Sequence, residues 1–256
     1  MSSTLEKLSP WLFTLGLFVL WELVCHIFKV DTFVLPAPSQ IFQAVGQYWL
    51  PLAKNAFVTL WTTLAGFALA VAFGIVLGII VGWSRTIYRG LYPVMIGFNS
   101  IPKVAVVPIL IIWFGIGIVP AVLTAFLISF FPIVVNVATG LASMEPELED
   151  VLRALGAKKL DIMLKVGIPR TQPYLFGSLK VAITLAFVGA VMSETIGANS
   201  GLGHLMVQAG SNFQMPLVFA CLLGLAVEGI VMYAVFAYVE AYFTGWAFRS
   251  SMSAAA

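Results

Sequence analysis

Charge is what this sequence has least of. Only 9% of its 256 residues are charged, against roughly 25% in soluble globular domains, and its mean hydropathy is +1.03. A soluble domain is thereby excluded, and a net charge of +2 is too small for a nucleic-acid binder. Cysteine is nearly absent: Cys25 and Cys221 lie far apart in apolar stretches, which gives neither a disulfide framework nor a metal cluster and reads as two buried small hydrophobes. The two histidines, His26 and His204, are equally remote from one another, and no metal-ligand spacing forms around them. A Gly-x-x-x-x-Gly-Lys-Ser/Thr phosphate loop is missing as well.

What is there is apolar residues, 61% of the chain, gathered into runs long enough to cross a bilayer, for which about 20 residues suffice. Six such runs stand out, at 10–28, 57–83, 91–114, 119–141, 175–197 and 216–243. The expected fold is an all-α membrane protein of six spans, a single transmembrane domain over residues 1–256. The first run lacks a strongly basic leader and an Ala-x-Ala exit, so it is expected to stay as a span. Gly117 and Pro120 predict a tight hairpin between the third and fourth.

Lysine and arginine set the orientation, because cytoplasmic segments hold the basic excess. With both termini inside, Lys7, Arg85, Arg89, Arg153, Lys158, Lys159, Lys165, Arg170, Lys180 and Arg249 face the cytoplasm and only Lys29 and Lys54 face outward. Lys103 alone falls at membrane depth. Trp11, Trp49, Trp83 and Trp246 fall near the predicted interfaces, as an aromatic belt does. On the outer side, 37–45 predicts a short surface helix capped by Ser39.

The longest polar stretch is the inner loop 143–174. Within it, Pro146 near a first turn, carboxylates at Glu147, Glu149 and Asp150, and Gly156 at the far end bound a short helix. Leu148, Val151, Leu152 and Leu155 follow helical spacing and form one apolar stripe. A helix this short is unstable alone in water and must dock. A second amphipathic piece, 158–166, follows, with Ile168-Pro169 expected to end it. Together they form a knob for a partner's groove.

These residues resemble the signature loop of binding-protein-dependent ABC importer permeases: an acidic residue and two small or apolar ones, a glycine six positions after the acid, and an apolar-x-apolar-proline ending thirteen after the glycine. Here they are Asp150-Val151-Leu152, Gly156 and Val166-Gly167-Ile168-Pro169, with aspartate for the usual glutamate and Val-Leu for two alanines. Asn99-Ser100-Ile101-Pro102-Lys103 through Trp113-Phe114-Gly115-Ile116-Gly117, and Ser193-Glu194-Thr195-Ile196-Gly197-Ala198 with Gly201-Leu202-Gly203, are similar to the nitrate, sulfonate and taurine subgroup, which also includes bicarbonate and vitamin-precursor permeases. The resemblance implies a type I importer permease in a bacterial inner membrane, with a coupling helix between spans four and five formed by Glu149, Asp150, Val151, Leu152, Arg153, Gly156, Ile168 and Pro169. It implies two cytoplasmic ATPase subunits that hold ATP and magnesium, a second permease copy, and a periplasmic or lipid-anchored binding protein. This chain would bind no cofactor and catalyse nothing itself, and its substrate would be a small, mostly anionic solute.

Ionisable groups at membrane depth are functional candidates by default. Lys103 is read either as an attractor for an anionic substrate or as the neutraliser of a carboxylate such as Glu194 or Glu228. Glu194, beside Ser193, is read either as path lining or as a structural hydrogen-bonding group. Glu22, His26 and Glu228 are expected to pair helices or to sit at the interface, and Glu240 to snorkel. Gly66, Ala70, Gly74, Gly78 and Gly82 recur every fourth position, a stripe that suits close packing within one chain or a dimer seam. Pro102, Pro108, Pro120 and Pro132 are read as kinks. The rival readings are a secondary transporter driven by an ion gradient, which leaves the loop signature without a purpose, and a membrane enzyme, which lacks a convergent catalytic constellation.

Overall fold

The computed structural model describes the backbone of residues 2–253 and the side chains of residues 9 and 12–244; Lys7, Trp11, Trp246 and Arg249 lie outside the described side chains. Every regular element among the described residues is helical, as a bilayer requires, since a helix satisfies its own backbone hydrogen bonds. The helices are α1 (Ser2–Ile27), α2 (Pro38–Gln47), α3 (Trp49–Gly82), α4 (Arg85–Asn99), α5 (Val107–Phe114), α6 (Ile118–Ala142), α7 (Pro146–Ala154), α8 (Lys159–Ile162), α9 (Ile168–Gly197), α10 (Leu202–Ser211) and α11 (Met215–Ser253). Among the described residues, four stretches are long and apolar enough to cross a membrane: α3, α6, the run Lys159–Ser211 that contains α9, and Met215–Thr244 of α11. The described apolar part of α1, Leu12–Ile27, is shorter.

The third apolar run is not one straight helix. α4 and α5 meet at 71°, joined by Ser100 to Pro102 and a 3₁₀ turn, Lys103–Val106. Pro102 has no N–H to give to the ladder and restricts Ile101 before it, so the helix stops there. Pro108 and Pro120 cause no kink, because each sits in the first turn of its helix, in α5 and α6 respectively. Pro132 lies inside a continuous α6. Gly115, in left-handed backbone with φ 79°, closes α5 and lets the chain turn back into α6.

α6 is the axis of the bundle, with α3 on one side and α9 on the other. The small-residue stripe is what brings α3 close. A Cβ added at Gly66 would stand 2.5 Å from Cβ of Ala125, at Gly78 2.6 Å from Cβ of Val137, and at Gly82 2.8 Å from Cβ of Leu141. The stripe is therefore a seam within one chain. On the opposite side, a Cβ at Gly189 of α9 would meet the backbone of Thr124 and Ala125 at 3.0 Å. Around these contacts Ala70, Ile133, Ala182, Ile183 and Ala186 are fully enclosed. A second apolar cluster joins α2, α10 and α11, with Leu202, Ala220 and Cys221 at its centre. Cys25 and Cys221 are free and buried.

Three local expectations are corrected by the structure. α2 is capped at Ala37, with Gln40 Oε1 accepting from the Ala37 amide at 3.1 Å; Ser39 instead donates its amide and hydroxyl to Glu22 of α1, at 3.0 and 2.7 Å. Ile168 and Pro169 do not end a helix: they open α9, into which α8 runs through a π-turn at Met163–Gly167. Proline in a first turn is a start signal as readily as a stop. The polar loop accordingly ends near Gly167, not Tyr174. Glu240 does not snorkel but forms an ion pair with Lys180, clamping α11 to α9.

The α3–α6 seam gives a direct test. Gly78→Leu should lower stability by about 1–3 kcal/mol through overpacking, whereas Gly90→Ala in α4, where a Cβ meets nothing within 4 Å, should be neutral or stabilise by about 0.5–1 kcal/mol. Thermal unfolding of the detergent-solubilised protein measures both.

Candidate functional site

Two arrangements bring the singled-out residues together, at different places in the bundle. The first is the α6–α9 connection. α7 starts with Pro146 in its first turn and acids Glu147 and Glu149 beside its positive end. It stops at Gly156, whose φ of 88° only glycine adopts without strain. There the Gly156 amide donates to the Arg153 carbonyl at 2.9 Å and the Ala157 amide to the Leu152 carbonyl at 3.0 Å, the paired closure that ends a helix on a left-handed glycine.

The apolar stripe of α7 is divided between two surroundings. Leu152 and the following Ala157 pack onto the core cluster that includes Met144, Ile162 and Met163. Val151 and Leu155 stay 57% and 79% exposed, and Asp150 beside them is exposed too. Arg153 bonds Glu149 one turn back at 2.5 Å. The entry to α7 is held from both flanks. Arg85 in the first turn of α4 donates to the Met144 carbonyl at 3.2 Å, and Arg170 in the first turn of α9 reaches Glu145 at 3.4 Å. Ile168 and Pro169 lie at that same start of α9. The segment that leads into α7 is thus tied to both α4 and α9.

The second arrangement is a buried polar knot between α3, α9 and α10. Glu194 is 2% exposed. Its Oε2 accepts from Thr59 Oγ1 at 2.9 Å and from the Gly203 amide at 3.0 Å, and Thr62 lies 3.5 Å from Oε1. Thr59 Oγ1 in turn accepts from the Leu202 amide at 2.9 Å, and Asn55 Oδ1 accepts from the Gly201 amide at 2.8 Å. The start of α10 is capped by groups from two other helices, each satisfying an amide that the helix cannot satisfy itself. Gly201 and Gly203 are required because a Cβ at either would run into the Glu194 side chain. These are the bonds that the hydrogen-bonding reading of Glu194 expects. Ser193 is fully enclosed, and its hydroxyl finds no partner among the described residues.

Lys103 belongs to neither arrangement. It stands at the α4–α5 break, bonded to Asn99 Oδ1 at 2.6 Å with its ammonium 5.6 Å from the Phe131 ring centre. It does not neutralise Glu194, and it does not reach Glu228, whose two oxygens are buried without a hydrogen-bond partner among the described residues. Glu22 does pair helices, through Ser39, and bonds His26 at 2.9 Å.

Comparison with known proteins now decides what this arrangement is part of. Residues 74–244 match the family described as "Binding-protein-dependent transport system inner membrane component". The chain belongs to that family. It is a permease subunit of an ABC importer, a non-catalytic multi-pass membrane protein. It is 33% identical over 251 residues to the formylaminopyrimidine transport permease protein ThiX of Halalkalibacterium halodurans, covering 96% of this chain and 98% of the relative. It is 32% identical over 235 residues to the riboflavin transport system permease protein RibX of Chloroflexus aurantiacus, covering 90% and 87%. In fold it is similar to a chain of the MetNI methionine ABC transporter in an inward-facing conformation, with a TM-score of 0.64 and 21% identity over 78% of this chain and 98% of that one. The importer-permease fold is therefore shared, and residues 74–244 contain α7 and the Glu194 and Gly203 side of the knot, while Asn55, Thr59 and Thr62 precede them.

Reasoning from sequence missed Asn55, Thr59 and Thr62 as partners of Glu194. One signal was present: Asn55, Thr59 and Thr62 share one face of α3, polar residues on a helix that is otherwise apolar. It also missed the Lys180–Glu240 clamp, since nothing in one sequence pairs residues sixty apart.

Glu194→Ala should destabilise the permease by about 2–4 kcal/mol by stranding the Thr59 hydroxyl and the Gly203 amide, and Glu194→Gln, which keeps one acceptor, by roughly half as much. Unfolding midpoints read both. Unchanged midpoints with lost transport would place Glu194 in the path instead.

Proposed function

We infer that two copies of this permease enclose a substrate path driven by two cytoplasmic ATPase subunits seated on α7. The observation that carries this is α7 itself: it presents Val151, Leu155 and Asp150 outward while Met144 and Glu145 at its entry are tied to α4 and α9. Outward apolar groups on a nine-residue helix have no use within the chain, and they suit a partner's groove. ATP and magnesium belong to the partner. Its closure on ATP shifts the permease between inward- and outward-facing states only through contacts that differ between them, and α7 supplies those contacts through Arg85 and Arg170.

The remainder of the reading follows from composition. α1 and the bent α4–α5 pair bring the spans to six. The positive-inside distribution puts α7 and both termini in the cytoplasm of a bacterial inner membrane. A periplasmic or lipid-anchored binding protein delivers substrate on the other side. The substrate is a small polar solute, and Lys103, the basic residue at membrane depth, supports an anion or a solute with strong acceptors. The carbonyls of a formylamino group or a flavin ring, as in the substrates named for ThiX and RibX, also suit an ammonium donor.

Affinity purification of the tagged permease from gently solubilised membranes tests the reading. An ATPase subunit should co-purify in equal amount, and Asp150→Lys or Leu155→Asp should weaken its retention roughly tenfold. Gly156→Pro, which cannot hold the left-handed turn, should leave expression intact and separate ATP hydrolysis from uptake. A permease that purifies alone and takes up solute on an ion gradient would establish the secondary-transporter reading instead.

A further inference from the structure

Where α3 and α6 end, a cavity of about 240 Å³ opens between them, the start of α4, and α7–α8. Its wall carries three cations, Arg85, Arg153 and Lys159, against one acid, Glu149. Glu149 is already engaged by Arg153, and Arg85 spends one N–H on the Met144 carbonyl, which leaves most of its guanidinium donors free. Lys159 has its ammonium 5.5 Å from the Trp83 ring centre and makes no salt bridge to a carboxylate among the described residues. Ser84 and Thr86 lie on the same wall, and Ser84 makes no side-chain cap to α4, so its hydroxyl is not committed to that helix. Three cations and two hydroxyls lining one recess fit an anion with several acceptor oxygens.

We propose that this recess binds the phosphate of an anionic phospholipid headgroup. The lipid source, as against free phosphate, follows from what adjoins the recess. Phe73, Val76, Leu77 and Ile80 are 54%, 56%, 40% and 52% exposed and succeed one another at helical spacing along α3 toward Trp83. That apolar strip runs from the recess into the membrane and gives acyl chains a continuous bed, while Trp83 marks the headgroup level. Basic pockets between spans at the cytoplasmic side are suited to acidic headgroups. A bound headgroup would bridge Arg85 of α4 and Arg153 of α7, two elements that move together if α7 transmits ATPase closure. Only this consequence for coupling rests on the proposed function; binding itself does not.

The test uses the purified full-length permease in an uncharged detergent, without any partner, titrated with dihexanoyl-phosphatidylglycerol, dihexanoyl-phosphatidylcholine, glycerol phosphate and inorganic phosphate. Phosphatidylglycerol should raise the unfolding midpoint by about 3 °C or more, with phosphatidylcholine inert and the two soluble phosphates far weaker. Arg85→Gln combined with Lys159→Gln should weaken phosphatidylglycerol binding about twentyfold, while Lys159→Arg and the remote Lys54→Gln leave it unchanged. If the double variant does not fold, Lys159→Gln alone carries the comparison. Equal effects of phosphatidylglycerol and phosphatidylcholine, or full binding to the double variant, would overturn the site. Inorganic phosphate as effective as phosphatidylglycerol would overturn the lipid assignment.

Discussion

The close approach of α3 to α6 is the constraint on which the rest of the bundle depends. In a bilayer the apolar side chains gain little by leaving lipid for protein, so helices associate through van der Waals packing and a few polar ties. Packing of that kind needs short axial distances, and glycine is the residue that allows them. Gly66, Gly78 and Gly82 of α3 lie so near α6 that no side chain fits between, and Gly189 repeats the arrangement from α9. With α6 gripped on both sides, the ends of these three helices are fixed relative to one another. α7 and its neighbours are built on those ends.

Polar ties then do what packing alone leaves undone. Glu194 is costly to bury, and its Oε2 holds both a hydroxyl of α3 and an amide of α10. The knot fixes α10 against α3 near one end of the bundle. The Lys180–Glu240 clamp fixes α11 against α9 elsewhere. Glu22 does the same for α1 and α2 through Ser39. Most of the membrane-depth carboxylates are thereby tied to other helices, which is why they are poor guides to the substrate. Lys103 differs because it sits at a helix break, where backbone is already irregular and a side chain reaches outward from the ladder.

Much of this was legible in the sequence, for reasons that are physical. The apolar runs give the long helices because length and hydropathy are summed over many residues and tolerate local exceptions. Gly156 is legible because a glycine after a charged, proline-started helix has one economical use, the left-handed closure, and φ of 88° shows it. Proline, by contrast, carries no sign of its own. Pro102 stops a helix, Pro169 starts one, and Pro132 does neither, and which of these occurs depends on the tertiary contacts of the next turn. Ser39 had a better acceptor in Glu22, seventeen residues away, than the cap position offered, so a local motif lost to a tertiary one. Long-range pairs such as Glu194 with Thr59 are illegible for the same reason: spacing along the chain says nothing about them.

The fold and the coupling surface meet at one junction. The ends of α3 and α6 and the starts of α4 and α9 converge around α7, and the contacts there are single hydrogen bonds and half-exposed ion pairs, each worth on the order of 1 kcal/mol or less. That weakness is a requirement, because a switch between two states needs contacts that can be exchanged at low cost. The glycine seam, where any change creates overlap, cannot serve that purpose. In the proposed coupling, rigid packing along α3, α6 and α9 would carry displacement as a body, and the loose polar ring around α7 would decide when it occurs. An anionic headgroup in the recess beside Arg85 and Lys159 would add one more exchangeable contact to that ring, placing the membrane's charge among the inputs that set the balance.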